Sequence, residues 1–285
     1  MVERFVFLCG ISSVVIVALI FLFLLRDTVP LFRFVPLAHL WQKRNWYPIS
    51  EPEVFGVVPL IMGTLWVTAG AILVALPLGI ATAIFLAELC PRWLREVLKP
   101  LIELLAAVPS VVMGFLGLVL LAPWVKQIFA LPTGLCVLTG SILLAFMGLP
   151  TIVTIAEDAI NAVPNDFRYA SLALGATPLQ TTLRAVVPAA RSGILAAVLL
   201  GLGRSIGETM TVMMVTGNAG VIPRSFTEPA RTLTATIAAE MGETVHYSAH
   251  YHALFFVGFL LLVMTFIINF LSDLALGRGH RVVRK

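Results

Sequence analysis

Two ionisable side chains stand where water should be scarce. Arg204 and Glu208 fall inside the apolar stretch Ser192 to Thr216, SGILAAVLLGLGRSIGETMTVMMVT. Arg204 comes thirteen residues after Arg191 and thirteen before Gly217, which in a helix is roughly 20 Å from either end. Neither charge can face hydrocarbon without a cost of about 3 kcal/mol. At i and i+4 on a continuous helix they share a face. A guanidinium offers a planar fork of donors that fits phosphate-like oxygens. A carboxylate one turn away can hold the arginine while the site is empty, or accept a proton from a protonated oxyanion. Arg before Glu is the less favourable order for an intrahelical pair, which speaks against a purely stabilising bridge. Gly201, Gly203 and Gly207, with Ser205 and Thr209, complete a tight polar patch suited to an oxyanion or a facing subunit. The residues expected on a substrate path or gate are therefore Arg204, Glu208, Ser205 and Thr209, the alternative being a helix-packing charge pair.

Other chemistry has little support. No GxxxxGK[ST] occurs, so no phosphate loop for ATP is expected. No nucleophile–base pair or metal triad stands out, and no catalytic residue, cofactor or metal is assigned. Cys9, Cys90 and Cys136 are widely spaced and contain no CxxC. His246, His250 and His252 form a loose cluster beside Tyr247 and Tyr251, read as interface or surface polar residues rather than a metal site.

The elements that must position Arg204 follow from composition. Apolar residues make up 59 % of the 285-residue chain and charged ones 12 %, against about 45–50 % and 25 % in soluble domains. Such a surface needs lipid. The net charge of +4 gives a nucleic-acid role no electrostatic support. Six spans are predicted, near 5–25, 57–87, 104–123, 135–156, 192–216 and 251–271. The first is read as a retained helix rather than a signal peptide. Pro77 with Gly79, and Gly148 with Pro150, are expected to kink the second and fourth spans, and Pro109, Ser110 and Gly114 to interrupt the third. Six spans put both termini on one side. A cytoplasmic placement leaves eleven basic residues inside and seven outside, and Arg278, Arg281, Arg284 and Lys285 in the tail agree with it. Asp273 is expected near the inner end of the sixth span.

The polar segment 157–191 has helical apolar spacing with breaks at Pro164 and Gly175 and a stop at Pro188. Asn165 or Asp166 is expected to cap a helix from Phe167, and Thr177, followed by Pro178, to cap a second. Phe167, Tyr169, Leu172, Leu179 and Leu183 give this helix–turn–helix an apolar surface for a partner, the alternative being an ordinary amphipathic loop.

These residues resemble a known family. GTLWVTAGAILVALPLGIATAIFLAE (63–88), LKPLIELLAAVPSVVMGFLGL (98–118), LPTIVTIAEDAINAVP (149–164), ALGATPLQTTLRAVVPAARSGI (173–194), LGRSIGETMTVMMVTGN (202–218) and RTLTATIAAEMGE (231–243) are similar to the C-type inner-membrane permease subunits of bacterial phosphate ABC importers, with GRSIGETM the most specific piece. The resemblance implies an all-α polytopic membrane protein of type I ABC importer permease fold with six transmembrane helices. It divides the chain into a first helix and outer loop (1–56), a permease core (57–275) with a coupling loop at 157–191, and a basic cytoplasmic tail (276–285). It also implies a phosphate path shared with an A-type sister permease, a dimeric cytoplasmic ATPase and a periplasmic phosphate-binding protein as partners, and no chemistry in this chain. Family coupling loops carry an EAA---G pattern. Here Tyr169, Ala170 and Ser171 stand at EAA, followed by Gly175 and Pro188, so these five are the expected ATPase contacts, with tyrosine replacing the acidic residue. Arg204 and Glu208 match family residues linked to phosphate passage. Rival readings are a permease for sulfate, molybdate or phosphonate, and an ATP-independent anion transporter.

Overall fold

The computed structural model describes residues 2–280, with side chains over 4–270. The side chains of Asp273 and Arg278, and the whole of Arg281, Arg284 and Lys285, lie outside what is described. The chain begins with α1 (Val2–Thr28), α2 (Leu31–Phe34) and α3 (Leu37–Gln42), then a two-residue hairpin, β1 (Trp46–Tyr47) paired antiparallel with β2 (Val54–Phe55). It continues with α4 (Val58–Ile84), α5 (Arg92–Ala107), α6 (Ser110–Leu116), α7 (Ala122–Ile128) and α8 (Val137–Asn161). Next come the short α9 (Asn165–Ala173), α10 (Pro178–Thr181) and α11 (Val187–Ala189), followed by α12 (Arg191–Gly207), α13 (Met210–Val215), α14 (Leu233–Glu240) and α15 (Ala249–His280).

Among the described residues, five helical stretches are long and apolar enough to span a bilayer. A bent pair, 178–189 with 191–207, makes a sixth when it counts as one span. The centre is α8, which packs against α4 on one side and α12 on the other. Both contacts are close because small residues face them. Ser141 Oγ donates to the Val67 carbonyl at 3.1 Å, and a side chain at Gly201 would place its Cβ 2.6 Å from Ile152 Cγ1. Of the three glycines expected around Arg204, Gly201 alone has this packing reason, because nothing lies within 4 Å of a Cβ at Gly207 and the nearest atom to one at Gly203 is 4.0 Å away. The first helix is peripheral. It lies along α15 through the ring pairs Phe21–Phe259 and Phe23–Phe255.

Two span boundaries differ from the sequence reading. The third span starts at Ser110 rather than near 104, because Pro109 ends α5, an amphipathic helix with no buried residue. Pro77 and Pro150 lie within continuous helices. The fourth span runs on through Asn161, which draws Glu157 out of the predicted polar loop and buries it completely. There Oε1 accepts a hydrogen bond from Arg95, and Lys99 Nζ lies 3.2 Å from Oε2, the two ion pairs tying α5 to α8.

At the end of the bundle opposite α9, the hairpin closes on Glu240. Trp46 Nε1 donates to Glu240 Oε2 at 3.0 Å, His250 Nε2 lies 2.8 Å from the same oxygen, and Arg231 pairs with Oε1. The predicted histidine cluster is thereby divided. His250 belongs to this carboxylate, and buried His252 meets the Asp27 carbonyl at 2.7 Å through Nδ1, so neither is a plain surface residue. Burial pushes the Glu240 carboxyl up, but the hydrogen bonds from His250 and Trp46 and the charges of Arg231 and His250 outweigh it, leaving its pKa below the ordinary 4.5. A lowered folded pKa means stability that is fully present above 4.5 and lost as pH falls below it, through the folded value. Thermal unfolding in detergent should show that acid-side loss, and Glu240→Gln should flatten it. An unchanged pH profile would remove Glu240 from the closure.

Candidate functional site

The predicted fifth span is not one helix. α12 stops at Gly207, Glu208 is extended (φ −69°, ψ 132°), and α13 restarts at Met210. The expected shared face of Arg204 and Glu208 is therefore corrected, and among the described residues the two form no ion pair. Arg204, exposed in the last turn of α12, donates from its guanidinium to Thr151 Oγ1 on α8 at 3.2 Å. Glu208 turns to the start of α13, where Thr211 N and Oγ1 approach Oε1 at 3.5 and 3.3 Å. Each charge sits at the helix end that favours it, the cation at a C-terminus and the anion at an N-terminus. Arg before Glu is the poor order within one helix and the good order across a break. That resolves the puzzle in the sequence.

Three chain interruptions meet here. Thr211 Oγ1 donates to the Ser110 carbonyl at 2.9 Å, at the start of α6 just after the Pro109 break. Thr234 Oγ1, in the first turn of α14, donates to the Glu208 carbonyl at 2.8 Å. Leu233 N donates in turn to Thr64 Oγ1 of α4 at 3.0 Å. Broken helices expose backbone groups, which in a bilayer are tolerated where protein or a water-lined cavity satisfies them. Threonine hydroxyls do so at this junction. The other two predicted residues play different parts. Ser205 is buried, with Oγ committed to the Gly201 carbonyl at 3.0 Å, whereas Thr209 lies in the break and donates to the Gly207 carbonyl at 3.2 Å. Thr151, Thr211 and Thr234 escaped the sequence reading. The Thr209–Met210 boundary after a glycine was the one available signal for a restart.

The loop 157–191 is a helix–turn–helix. α9 begins at Asn165, directly after Pro164 and without a side-chain cap, so the expected cap by Asn165 or Asp166 is corrected. Thr177 caps α10 as expected, in a reciprocal box with Gln180. Between them Gly175 has φ +84°, a left-handed conformation that costs most other residues roughly 1–2 kcal/mol. Tyr169, Ala170, Gly175 and Pro188 are exposed, and Ser171 Oγ meets Thr181 Oγ1 at 3.0 Å, bracing α9 on α10. After α11, which contains Pro188, the chain bends by 70° into α12.

A helical bundle with spans broken around polar residues, and a capped helix–turn–helix at one end, defines a class first: a multi-pass membrane transport subunit. The family follows. The model for the binding-protein-dependent transport system inner membrane component matches residues 75–281, and the chain belongs to that family. It is a bacterial ABC transporter permease subunit of the inner membrane, in a family of transporters rather than enzymes. The probable ABC transporter permease protein YqgH of Bacillus subtilis is 45 % identical over 223 residues, covering 78 % of this chain and 72 % of that one. The phosphate transport system permease protein PstC of Mesorhizobium japonicum is 40 % identical over 245 residues, covering 79 % and 74 %. In shape the chain is similar to the MetNI methionine ABC transporter in an inward-facing conformation, with a TM-score of 0.62 at 20 % identity over 83 % of this chain and all of that one. The fold is that of a type I ABC importer permease.

Proposed function

We propose that this chain is the C-type permease subunit of an ATP-driven phosphate importer. It forms the ion path with an A-type sister subunit, receives phosphate from a periplasmic binding protein, and docks a dimeric cytoplasmic ATPase on α9 and α10. In this reading the α9 end and both chain termini face the cytoplasm. The carrying observation is Arg204, a guanidinium exposed at the broken fifth span that among the described residues meets one hydroxyl and no carboxylate. A guanidinium has five N–H donors, and so has several left for an oxyanion. Relatives named as phosphate permeases support phosphate as that ion.

The test is uptake of labelled phosphate in a strain lacking its own C-type subunit and complemented with this chain. Unlabelled phosphate should compete, and sulfate, molybdate and phosphonate should not. Competition by sulfate as strong as that by phosphate would overturn the assignment. Purification of a stable complex without any ATPase would favour the ATP-independent rival.

The docking role makes its own prediction. Gly175→Val strains the turn between α9 and α10 rather than clashing, since nothing lies within 4 Å of a Cβ there. Global stability should fall by roughly 1–2 kcal/mol, while ATPase binding or stimulation falls severalfold. Unchanged ATPase stimulation would place docking elsewhere.

A further inference from the structure

The exposed helix α9 has no buried residue, so apolar packing is a poor route for transmitting its movement to the bundle. What grips the bundle is Arg168. Its Nη2 donates to Glu88 Oε1 at 2.6 Å and to the Ile160 carbonyl at 3.1 Å, Nη1 donates to the Val163 carbonyl at 2.6 Å, and Nε donates to Glu88 Oε1 at 3.1 Å. Ile160 lies in the last turn of α8, and Val163 just beyond it, at a helix C-terminus where a cation is favoured. Glu88 lies in the wider i→i+5 turn Phe85–Leu89 that ends α4, closed by Cys90 N on the Phe85 carbonyl at 2.8 Å. One guanidinium thus joins α9, the end of α4 and the end of α8. Both partners are largely withdrawn from solvent, with side-chain exposures of 19 % for Arg168 and 12 % for Glu88. Beneath them lies an apolar cluster of Ala83, Ala156, Ile160, Val186 and Ile194, which locks α4, α8 and α12 together. Movement delivered to Arg168 therefore reaches the helices that pack around Arg204.

We propose that Arg168, with Glu88 as its partner, is the joint through which the docking helix drives the transmembrane bundle. Both are positioning residues, and the assignment rests on the reading of α9 and α10 as the ATPase-docking element. A fork suits the task because its three separated nitrogens reach a carboxylate and two carbonyls at once, a span that lysine's single compact ammonium matches less well.

The test uses the whole importer in proteoliposomes, with sister subunit, ATPase and binding protein, reading ATP hydrolysis and phosphate uptake from one preparation. Arg168→Gln should assemble and hydrolyse ATP while phosphate moved per ATP falls about tenfold, as expected for loss of a charge-assisted contact. Arg168→Lys should fall between. Glu88→Gln, which leaves both carbonyl bonds in place, should lose coupling less than Arg168→Gln but by more than twofold. Unchanged phosphate per ATP in assembled Arg168→Gln overturns the joint. Should that variant fail to assemble, Glu88→Gln decides, and unchanged coupling there overturns it equally. Wild-type vesicles that hydrolyse ATP but move no phosphate reject the functional reading itself, and with it the joint.

Discussion

Arg204→Gln is expected to cut phosphate uptake roughly 10- to 100-fold while the subunit still assembles with its partners. The range follows from losing charge-assisted hydrogen bonds, worth about 1.5–3 kcal/mol, to an anion that water no longer solvates. Stability should change little, because the single hydrogen bond found for Arg204 runs to Thr151 Oγ1, which a glutamine amide can also reach. The helix end loses a favourable cation, an effect of about 0.3–1 kcal/mol. Thr151→Val separates orientation from charge. It removes the hydroxyl that holds the guanidinium but keeps the cation, so its uptake should fall less, and mainly through weaker apparent affinity. Glu208→Gln bears on the same site. The carboxylate contacts the start of α13 rather than Arg204, so this change should not free an arginine held in an ion pair. Labelled-phosphate uptake beside co-purification of the sister subunit and ATPase reads all three variants. Uptake by Arg204→Gln within twofold of wild type would take Arg204 off the path.

Five of the six predicted spans, the Gly175 turn and the Thr177 cap were legible because each rests on local chemistry: apolar length, positive φ, or a hydroxyl three residues before a free amide. The arrangement of Arg204 and Glu208 was not. Helical spacing placed them together, and the helix has to break for them to part. No proline marks that break. It is stabilised by Thr234, which donates to the Glu208 carbonyl, and by Ser110, whose carbonyl receives Thr211, and both approach from other elements of the chain. Glu157 was misplaced for a related reason. A carboxylate after an apolar run reads as the start of a loop, and only the arrival of Arg95 and Lys99 from α5 makes its burial tolerable. Charges in this chain are thus read correctly as rare at depth, but their partners are tertiary. The same holds for Arg168, whose partner Glu88 lies eighty residues earlier.

Truncating both cations around Glu157 should destabilise the subunit more than removing the carboxylate itself. The asymmetry comes from burial. Glu157 has 1 % of its side chain exposed, whereas Arg95 retains 36 % and Lys99 32 %. Glu157→Gln leaves two cations that already reach solvent and can complete their hydration, so the loss is at most that of one charge-assisted hydrogen bond, about 1.5–3 kcal/mol. The double change Arg95→Ala with Lys99→Ala leaves a carboxylate with no compensating charge in the same closed space, for which about 3–5 kcal/mol is expected. Either single cation change should fall between, because the remaining partner still faces one of the two oxygens. Lys99 also lies 3.8 Å from Asp158, an exposed contact that adds little. A triple variant carrying all three changes should recover most of the double variant's loss, since the stranded charge has gone. Thermal unfolding of the purified subunit in one detergent at neutral pH ranks these variants against wild type. The double variant matching Glu157→Gln, or the triple variant being no better than the double, would show that α5 is held to α8 by something other than this buried carboxylate.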